Sequence, residues 1–382
     1  MDRTIEIELA SELLELKAHK AHYLDDEAAK SPVDHYVSDA RFEREREAIF
    51  LTRPHAIAHS SELAEPGAFL TAKVHGKPVL VSRDKQGEVR AFLNVCRHRG
   101  AELVGEESGC KHRFSCPYHA WTYSSDGRLL GAPHFNEGFP GLDKSELGLK
   151  QLPCLERAGF IWIVLSLDAD SALNGWLEEF SGEIEQLDLA NHVIVAEDTM
   201  AIAANWKILV EGGIEAYHFK VAHRDTIGPF FEDNLSSYRC YGDHMRSVLP
   251  RASMSQFWEI PQEEWRLRDH ANVLYTFFPT NQLLVQQDHV IWISSTPHSA
   301  GETTLRLVTL APKQGSLADG KDQAYWQRNH EITMMTLKED FDIGEGIQRG
   351  LASGANTDLH FGRFEGALES FNSLVDAACD QG

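Results

Sequence analysis

The chain reads as a protein of separate strand-rich and helix-rich stretches, and three patterns in its 382 residues say so. Short β-rich runs broken by turn residues fill residues 54–167 and read as a small antiparallel β domain. Alternating apolar and polar residues recur over 272–278, 282–287, 290–295 and 303–310, a four-stranded antiparallel meander whose curved sheet needs a helix across it. A long helical repeat over 322–349 follows, with Trp326, His330, Met334, Leu337 and Phe341 on one face and Gly350 placed as its stop.

The remaining elements fall around these. Residues 5–24 have high helix propensity, with Leu9, Leu13, Leu14 and Leu16 near one stripe, and predict an amino-terminal packing helix. Within the β domain the runs 79–82, 89–94, 121–123 and 160–166 predict strands. Ser124-Ser125-Asp126-Gly127 predicts a hairpin turn, because Asp-Gly supplies the positive φ that such turns need. Residues 173–187 predict a helix leading into a mixed region.

Composition narrows the function. With 42% apolar and 25% charged residues, the chain has an ordinary globular make-up and length for two or three domains. A formal charge of −22 repels phosphate backbones and anionic membranes, so neither nucleic acid nor a lipid surface is an expected partner. The apolar runs at 160–167 and 290–295 are far shorter than the roughly 20 residues of a spanning helix. Residues 1–10 are acidic and lack an export layout, so the cytoplasm is expected. Six cysteines in such a chain point to metal or catalysis rather than to a disulfide framework.

Two of the six stand out. Cys96-Arg97-His98 and Cys116-Pro117-Tyr118-His119 each offer one thiolate and one imidazole. Two sulfurs on one iron and two histidine nitrogens on the other make the ligand set of a Rieske [2Fe-2S] centre. Cys96 and Cys116 would bind the first iron, His98 and His119 the second. Zinc also takes two cysteines and two histidines, but its sites normally pair like with like, whereas both pairs here are mixed. Cys110 and His112 fall outside the motif, and Cys110 reads as a small packed residue.

A second constellation lies downstream. If Asn205-Trp206-Lys207 opens one helix, Glu211, Glu215 and His218 lie within about 60° on one face. His223 reaches the same point only if that helix bends or ends near 219–222. Two histidines and one carboxylate form the facial triad of oxygen-activating non-haem iron, with open positions opposite. Taken alone, these residues would read as a solvated helix face. For the carboxylate, Glu215 competes with Glu339, Asp340 and Asp342 of the late helix. Asp340 is nearly in phase with Leu337 and His330, while Asp342 is turned about 200° away.

The runs CRHRGAEL and CPYHAW, with the turn SSDG, closely resemble the Rieske domain of ring-hydroxylating and related oxygenases over roughly 92–130. The resemblance implies an α+β fold: a small antiparallel β Rieske domain over 45–167 and a helix-grip catalytic domain over 168–382. The catalytic domain would have a curved antiparallel sheet and a long C-terminal helix, with residues 1–44 packing on it. It also implies that Glu215 is an electron-transfer bridge between subunits, with His218, His223 and a late-helix carboxylate, Asp340, on the iron. Dioxygen is then the co-substrate, the assembly a homotrimer, and NAD(P)H reaches the chain only through a separate reductase or ferredoxin. No G-x-G-x-x-G fingerprint offers another route. Arg97, Arg99, Lys111, His112 and Arg113 gather positive charge where such a partner could dock.

Two departures from the family pattern bear on substrate. Gly212 stands where many ring dioxygenases carry asparagine, and the bridge is Glu215 rather than the commoner aspartate, as in the branch with carnitine-type quaternary-ammonium monooxygenases. A box built from Tyr217, Phe230, Phe231, Tyr241, Trp258, Tyr275 and Phe277 would hold a trimethylammonium group by cation–π attraction. Oxidation of an aromatic acid or hydrocarbon stays open, and so does a non-catalytic Rieske electron carrier.

Overall fold

The computed structural model describes residues 1–313 and 321–381, in two compact units: Phe50–Trp176, and Met1–Ile49 with Leu177–Gly382.

The smaller unit is built on a five-stranded antiparallel sheet whose middle strand, Lys77–Arg83, explains its layering. Successive side chains on a strand point to opposite faces. Val79 and Val81 therefore enter one core with Ala58, Ile161 and Ile163, while Leu80 enters another with Phe69, Phe92, Trp121 and Tyr123. The second core underlies the predicted hairpin, in which Thr122–Ser124 pairs with Leu129–Gly131 and Gly127 takes φ +85°. Cys110 is not packed as expected: it is exposed at the end of the edge strand Ser108–Cys110.

In the larger unit the meander is the central part of a seven-stranded antiparallel sheet. Its strands are β1 (His192–Ile202), β2 (Ser237–Tyr241), β3 (His244–Pro250), β4 (Ala271–Phe277), β5 (Asn281–Val285), β6 (Val290–Ser299) and β7 (Glu302–Pro312), in the order β1-β7-β6-β5-β4-β3-β2. The "mixed region" thus holds three further strands. Helix α1 (Arg3–His19) buries Leu9, Leu13 and Leu14 and stops short of the predicted end, where Lys20 turns left-handed at φ 50°. Residues 173–187 do not form one helix: 3-10 turns lead into a five-residue helix, Ser181–Glu185.

Two helices pack on the sheet. α2 (Trp206–Ile214) is capped by the Asn205 side chain, which accepts from Lys207 N. α4 (Gln323–Ala352) buries Trp326, His330, Thr333, Phe341, Gly344 and Leu351 at helical spacing. Gly344 permits close approach, since a Cβ there would lie 3.3 Å from Ile208 of α2. Phe341 and Leu351 share a core with Ile291, Ile293, Leu305 and Leu307 of the sheet. Gly350 lies inside the last turn of α4 rather than ending it, and α4 is not the final element. Asp358–Phe361 adds a strand beside Ala29–Pro32, and helix α5 (Gly366–Gln381) follows.

Candidate metal centres and substrate cavity

The two cysteine–histidine pairs sit on two copies of one turn. Cys96 N donates to Ala101 O at 2.8 Å and Gly100 N to Cys96 O at 3.0 Å. Cys116 N likewise donates to Trp121 O at 2.8 Å and Ala120 N to Cys116 O at 3.0 Å. The fifth residue of each turn is left-handed, Gly100 at φ 77° and Ala120 at φ 54°. Both thiols are buried, and the His98 and His119 rings lie 4.6 Å apart by centroid, with Trp121 stacked on His98.

The Nδ1 atoms of His98 and His119 are buried with no hydrogen-bond partner among the described residues, a cost unless something else satisfies them. A [2Fe-2S] cluster fits this set: two buried thiols for one iron and two unpartnered imidazole nitrogens for the other. Burial first, then His119 and Arg99, holds the His98 imidazole below its ordinary pKa, toward the neutral form a ligand needs. Tyr123, overlooked in the sequence, lies beside the thiols, its hydroxyl 3.4 Å from Cys96 Sγ and accepting from Arg97 N at 3.0 Å. Of the positive group nearby, Lys111 pairs with Glu106, and Arg99 lies over the exposed Tyr118 ring at 5.2 Å.

The second constellation is not one helix. α2 ends at Ile214, Glu215 is extended at φ −128°, and a short helix α3 (Phe219–Ala222) starts after His218. The Gly212-Gly213 pair before the break explains it, since each glycine weakens a helix by about 1 kcal/mol. This signal was present in the sequence. Glu211 is therefore carried away from Glu215 and His218: its Oε1 accepts from Tyr36 Oη at 2.6 Å and Asn372 Nδ2 at 2.8 Å. The bend does bring His223 round to His218, their Nε2 atoms 3.2 Å apart.

Asp340 of α4 completes the group, its Oδ1 lying 3.5 Å from His218 Nε2 and 3.0 Å from His223 Nε2. Ligand atoms of the three residues all lie within 4.8 Å of one another. Neighbouring ligands of an octahedral ion with ~2.1 Å bonds lie about 3 Å apart, so the set suits one metal. The far nitrogen of each histidine is held by a carboxylate: His218 Nδ1 by Glu215, and His223 Nδ1 by Glu339 at 2.8 Å. Such pairing fixes the ring and leaves Nε2 for a metal. Burial would lower the His223 pKa, but Asp340 and Glu339 outweigh it and raise the imidazole above its ordinary value. Glu339 was one of three sequence candidates for the ligand and instead orients one, with Thr226 Oγ1 donating to it at 2.6 Å. Asp342 is exposed and paired with Lys338.

These residues open onto a cavity of about 920 Å³. Strand parity decides which sheet residues reach it: Asn272 and Leu274 of β4 and Gln282 and Leu284 of β5 line it. Tyr275 and Phe277 therefore point to the opposite face, where the Tyr275 and Tyr241 hydroxyls both donate to Glu183. Of the expected aromatic box only Phe230 and Phe231 line the cavity. Tyr217 and Trp258 are exposed, Tyr217 packing on Phe364 at 4.4 Å. The cavity's other aromatic side chains are Phe219, Phe341 and Phe361.

Comparison with known proteins agrees with this geometry. The Rieske [2Fe-2S] domain family matches residues 53–153, and the family described as Ring hydroxylating alpha subunit (catalytic domain) matches residues 189–381. The carnitine monooxygenase oxygenase subunit of Acinetobacter baumannii is 30% identical over 351 residues, covering 83% of this chain and 84% of the relative. The chain belongs to the Rieske oxygenase alpha subunits. A solved structure of the quaternary ammonium Rieske monooxygenase CntA with substrate gamma-butyrobetaine superposes on this alpha subunit with a TM-score of 0.74 at 27% identity, covering 92% of this chain and 96% of that one. The large subunit of anthranilate 1,2-dioxygenase from Acinetobacter baylyi is 35% identical over 203 residues, 51% of this chain and 42% of that subunit.

The alpha subunit is thus an oxidoreductase, the oxygenase component of a multicomponent system that depends on a reductase. Its family cofactors are the [2Fe-2S] cluster and non-haem iron, with dioxygen as co-substrate and NAD(P)H used through partners. Among the described residues no helix is long and apolar enough to cross a membrane.

Proposed function

We propose that this alpha subunit oxygenates a small quaternary-ammonium substrate at the His218–His223–Asp340 site, by hydroxylation or N-dealkylation. The observation that carries the site is the convergence of those three residues on the wall of the cavity, each histidine braced from behind by a carboxylate. Similarity to carnitine monooxygenase over most of both chains supports the substrate class. When bound, iron supplies the centre at which dioxygen is activated and the cluster supplies electrons. The overall balance is substrate C–H plus dioxygen, two electrons and two protons, giving C–OH and water. A hydroxyl on the carbon beside nitrogen then loses its proton as that C–N bond breaks, giving a carbonyl compound and the free amine.

In this reading Cys96, Cys116, His98 and His119 hold the cluster. Glu215 keeps His218 in the tautomer that presents Nε2, and reaches His119 of a neighbouring copy in a head-to-tail homotrimer, a heterologous interface that closes on itself. Iron analysis and low-temperature electron paramagnetic resonance test the assignment, with about three irons per chain and a histidine-ligated [2Fe-2S] signal expected. Glu215→Gln should keep both metals and lose turnover by at least ~100-fold. Near-full activity in that variant would remove the bridge.

A second reading is oxidation of an aromatic acid or hydrocarbon. The Leu, Ile and Phe side chains that make up nearly half of the cavity's lining residues favour it.

A further inference from the structure

Among the described residues that line the cavity is one arginine, Arg251, with no ion-pair partner. Arg251 follows β3 directly, and its backbone is fixed on two sides: its N donates to His270 O at 2.8 Å, and it bridges Phe231 across an isolated β-bridge. Its guanidinium makes one side-chain hydrogen bond, Nη2 to Asn272 Oδ1 at 2.7 Å, and lies over the Phe231 ring at 6.0 Å. Among the described residues no carboxylate is within ion-pair distance of it. Each acid that lines the cavity is engaged elsewhere: Glu211 with Tyr36, Glu215 with His218, Asp340 with His223, Asp358 with Thr357, and Glu365 with Gly362 N.

A guanidinium has five donors in a planar fork, and one donor spent on a neutral amide leaves most of the fork free. Burial lowers its pKa, against the opposing pull of Asp288 and Asp269, which lie beyond ion-pair distance. The fork matches a carboxylate in geometry and charge, and the surrounding apolar walls strengthen such a pair by excluding water. We infer that Arg251 is the anchor for a carboxylate on the substrate, held in the cavity where His218, His223 and Asp340 converge. A substrate with one carboxylate and an otherwise uncharged or cationic body follows. The cation–π face of Phe231 is already taken by Arg251, so a trimethylammonium head would lie away from that end.

The inference rests on this cavity being the oxygenation site, but not on the quaternary-ammonium reading, and the test separates the two. Equilibrium binding to the metal-loaded, full-length protein would be measured by calorimetry without turnover, with probes in matched pairs. L-Carnitine and gamma-butyrobetaine would be set against choline, and benzoate and anthranilate against aniline. Carboxylated members should bind and their matched partners should not. Arg251→Gln should weaken carboxylate binding on the order of 10- to 100-fold, the loss of a charge-assisted hydrogen bond, while unchanged cluster absorbance and iron content show an intact fold.

In turnover, the loss should fall on KM more than on kcat, and Arg251→Lys should recover part of it. Arginine-dependent binding of aromatic acids alone would keep the anchor and remove the quaternary-ammonium reading. Equal binding within each pair, no binding by any carboxylate probe, or an unchanged preference in Arg251→Gln would each overturn the anchor.

Discussion

The two candidate metal centres are built in opposite ways. Cys96–His98 and Cys116–His119 occupy two matching turns twenty-odd residues apart, and each turn carries a complete half of the ligand set on its own backbone hydrogen bonds. His218, His223 and Asp340 come from a broken helical stretch and from α4, more than a hundred residues later. They are brought together by the packing of α4 across the sheet and by its Glu339, which holds His223 Nδ1 and accepts from Thr226. A centre written into a loop is legible from spacing, whereas a centre assembled by packing is legible only in part.

Removing one ligand from each centre tests that contrast, and the largest effect belongs to the loop site. Cys116→Ala should abolish the visible [2Fe-2S] absorbance and reduce reductase-driven turnover to background, because no neighbouring residue can replace a buried thiolate. Asp340→Ala should leave that absorbance intact and lower iron from about three to about two per chain, with loss of oxygenation. Asp342→Ala serves as its control and should be near wild type, since its exposed pair with Lys338 contributes little. A cluster that vanished with Asp340→Ala would mean that the two centres do not fold independently.

The brace behind a ligand should matter less than the ligand. Glu339→Gln keeps an acceptor for Thr226 but removes the charge facing His223 Nδ1. Such a change should weaken metal retention about 10- to 100-fold, read by chelator competition, with cluster absorbance unchanged. An undiminished affinity would show that packing alone orients His223.

What the sequence disclosed follows the same division. Both Rieske turns, the Asp126-Gly127 hairpin, the meander and α4 rest on short spacings or one period, while Asp340 rests on helical phase and on resemblance; in the structure Asp340 lies beside His218 and His223, and Asp342 is exposed. Gly212-Gly213 marks the break at Glu215, which falls before the 219–222 bend expected from the sequence and takes Glu211 off the face shared with Glu215 and His218. The aromatic box failed for a different reason: Tyr275 and Phe277 are on the wrong parity of β4, and parity relative to a cavity becomes visible only once the sheet's two faces are known. Arg251 carries no motif at all, and the anchor proposed for it emerges only in three dimensions, where its one side-chain hydrogen bond among the described residues goes to the neutral Asn272.

Glu211 gives the smallest effect and the finest comparison, because it shares α2 with the approach to the metal site but has been turned into a structural acid. Burial pushes its pKa from an ordinary 4.5 up to about 7, against the opposing pull of the Tyr36 and Asn372 donors and Lys207. The folded protein therefore holds this proton more tightly than the unfolded chain. The resulting stabilisation is complete below about pH 4.5 and is lost as pH rises through about 7. Glu211→Gln cannot ionise, and its carbonyl oxygen still accepts from Tyr36 and Asn372, so its stability lacks this slope. Thermal unfolding of the metal-loaded protein on either side of neutrality should show wild type losing a few degrees relative to the variant as pH rises, with the metal content of both unchanged. Parallel pH profiles would mean that Glu211 is already ionised in the fold, with Lys207 and the two donors outweighing burial. The contrast with Glu215, which pairs with His218 Nδ1, would then reduce to position alone.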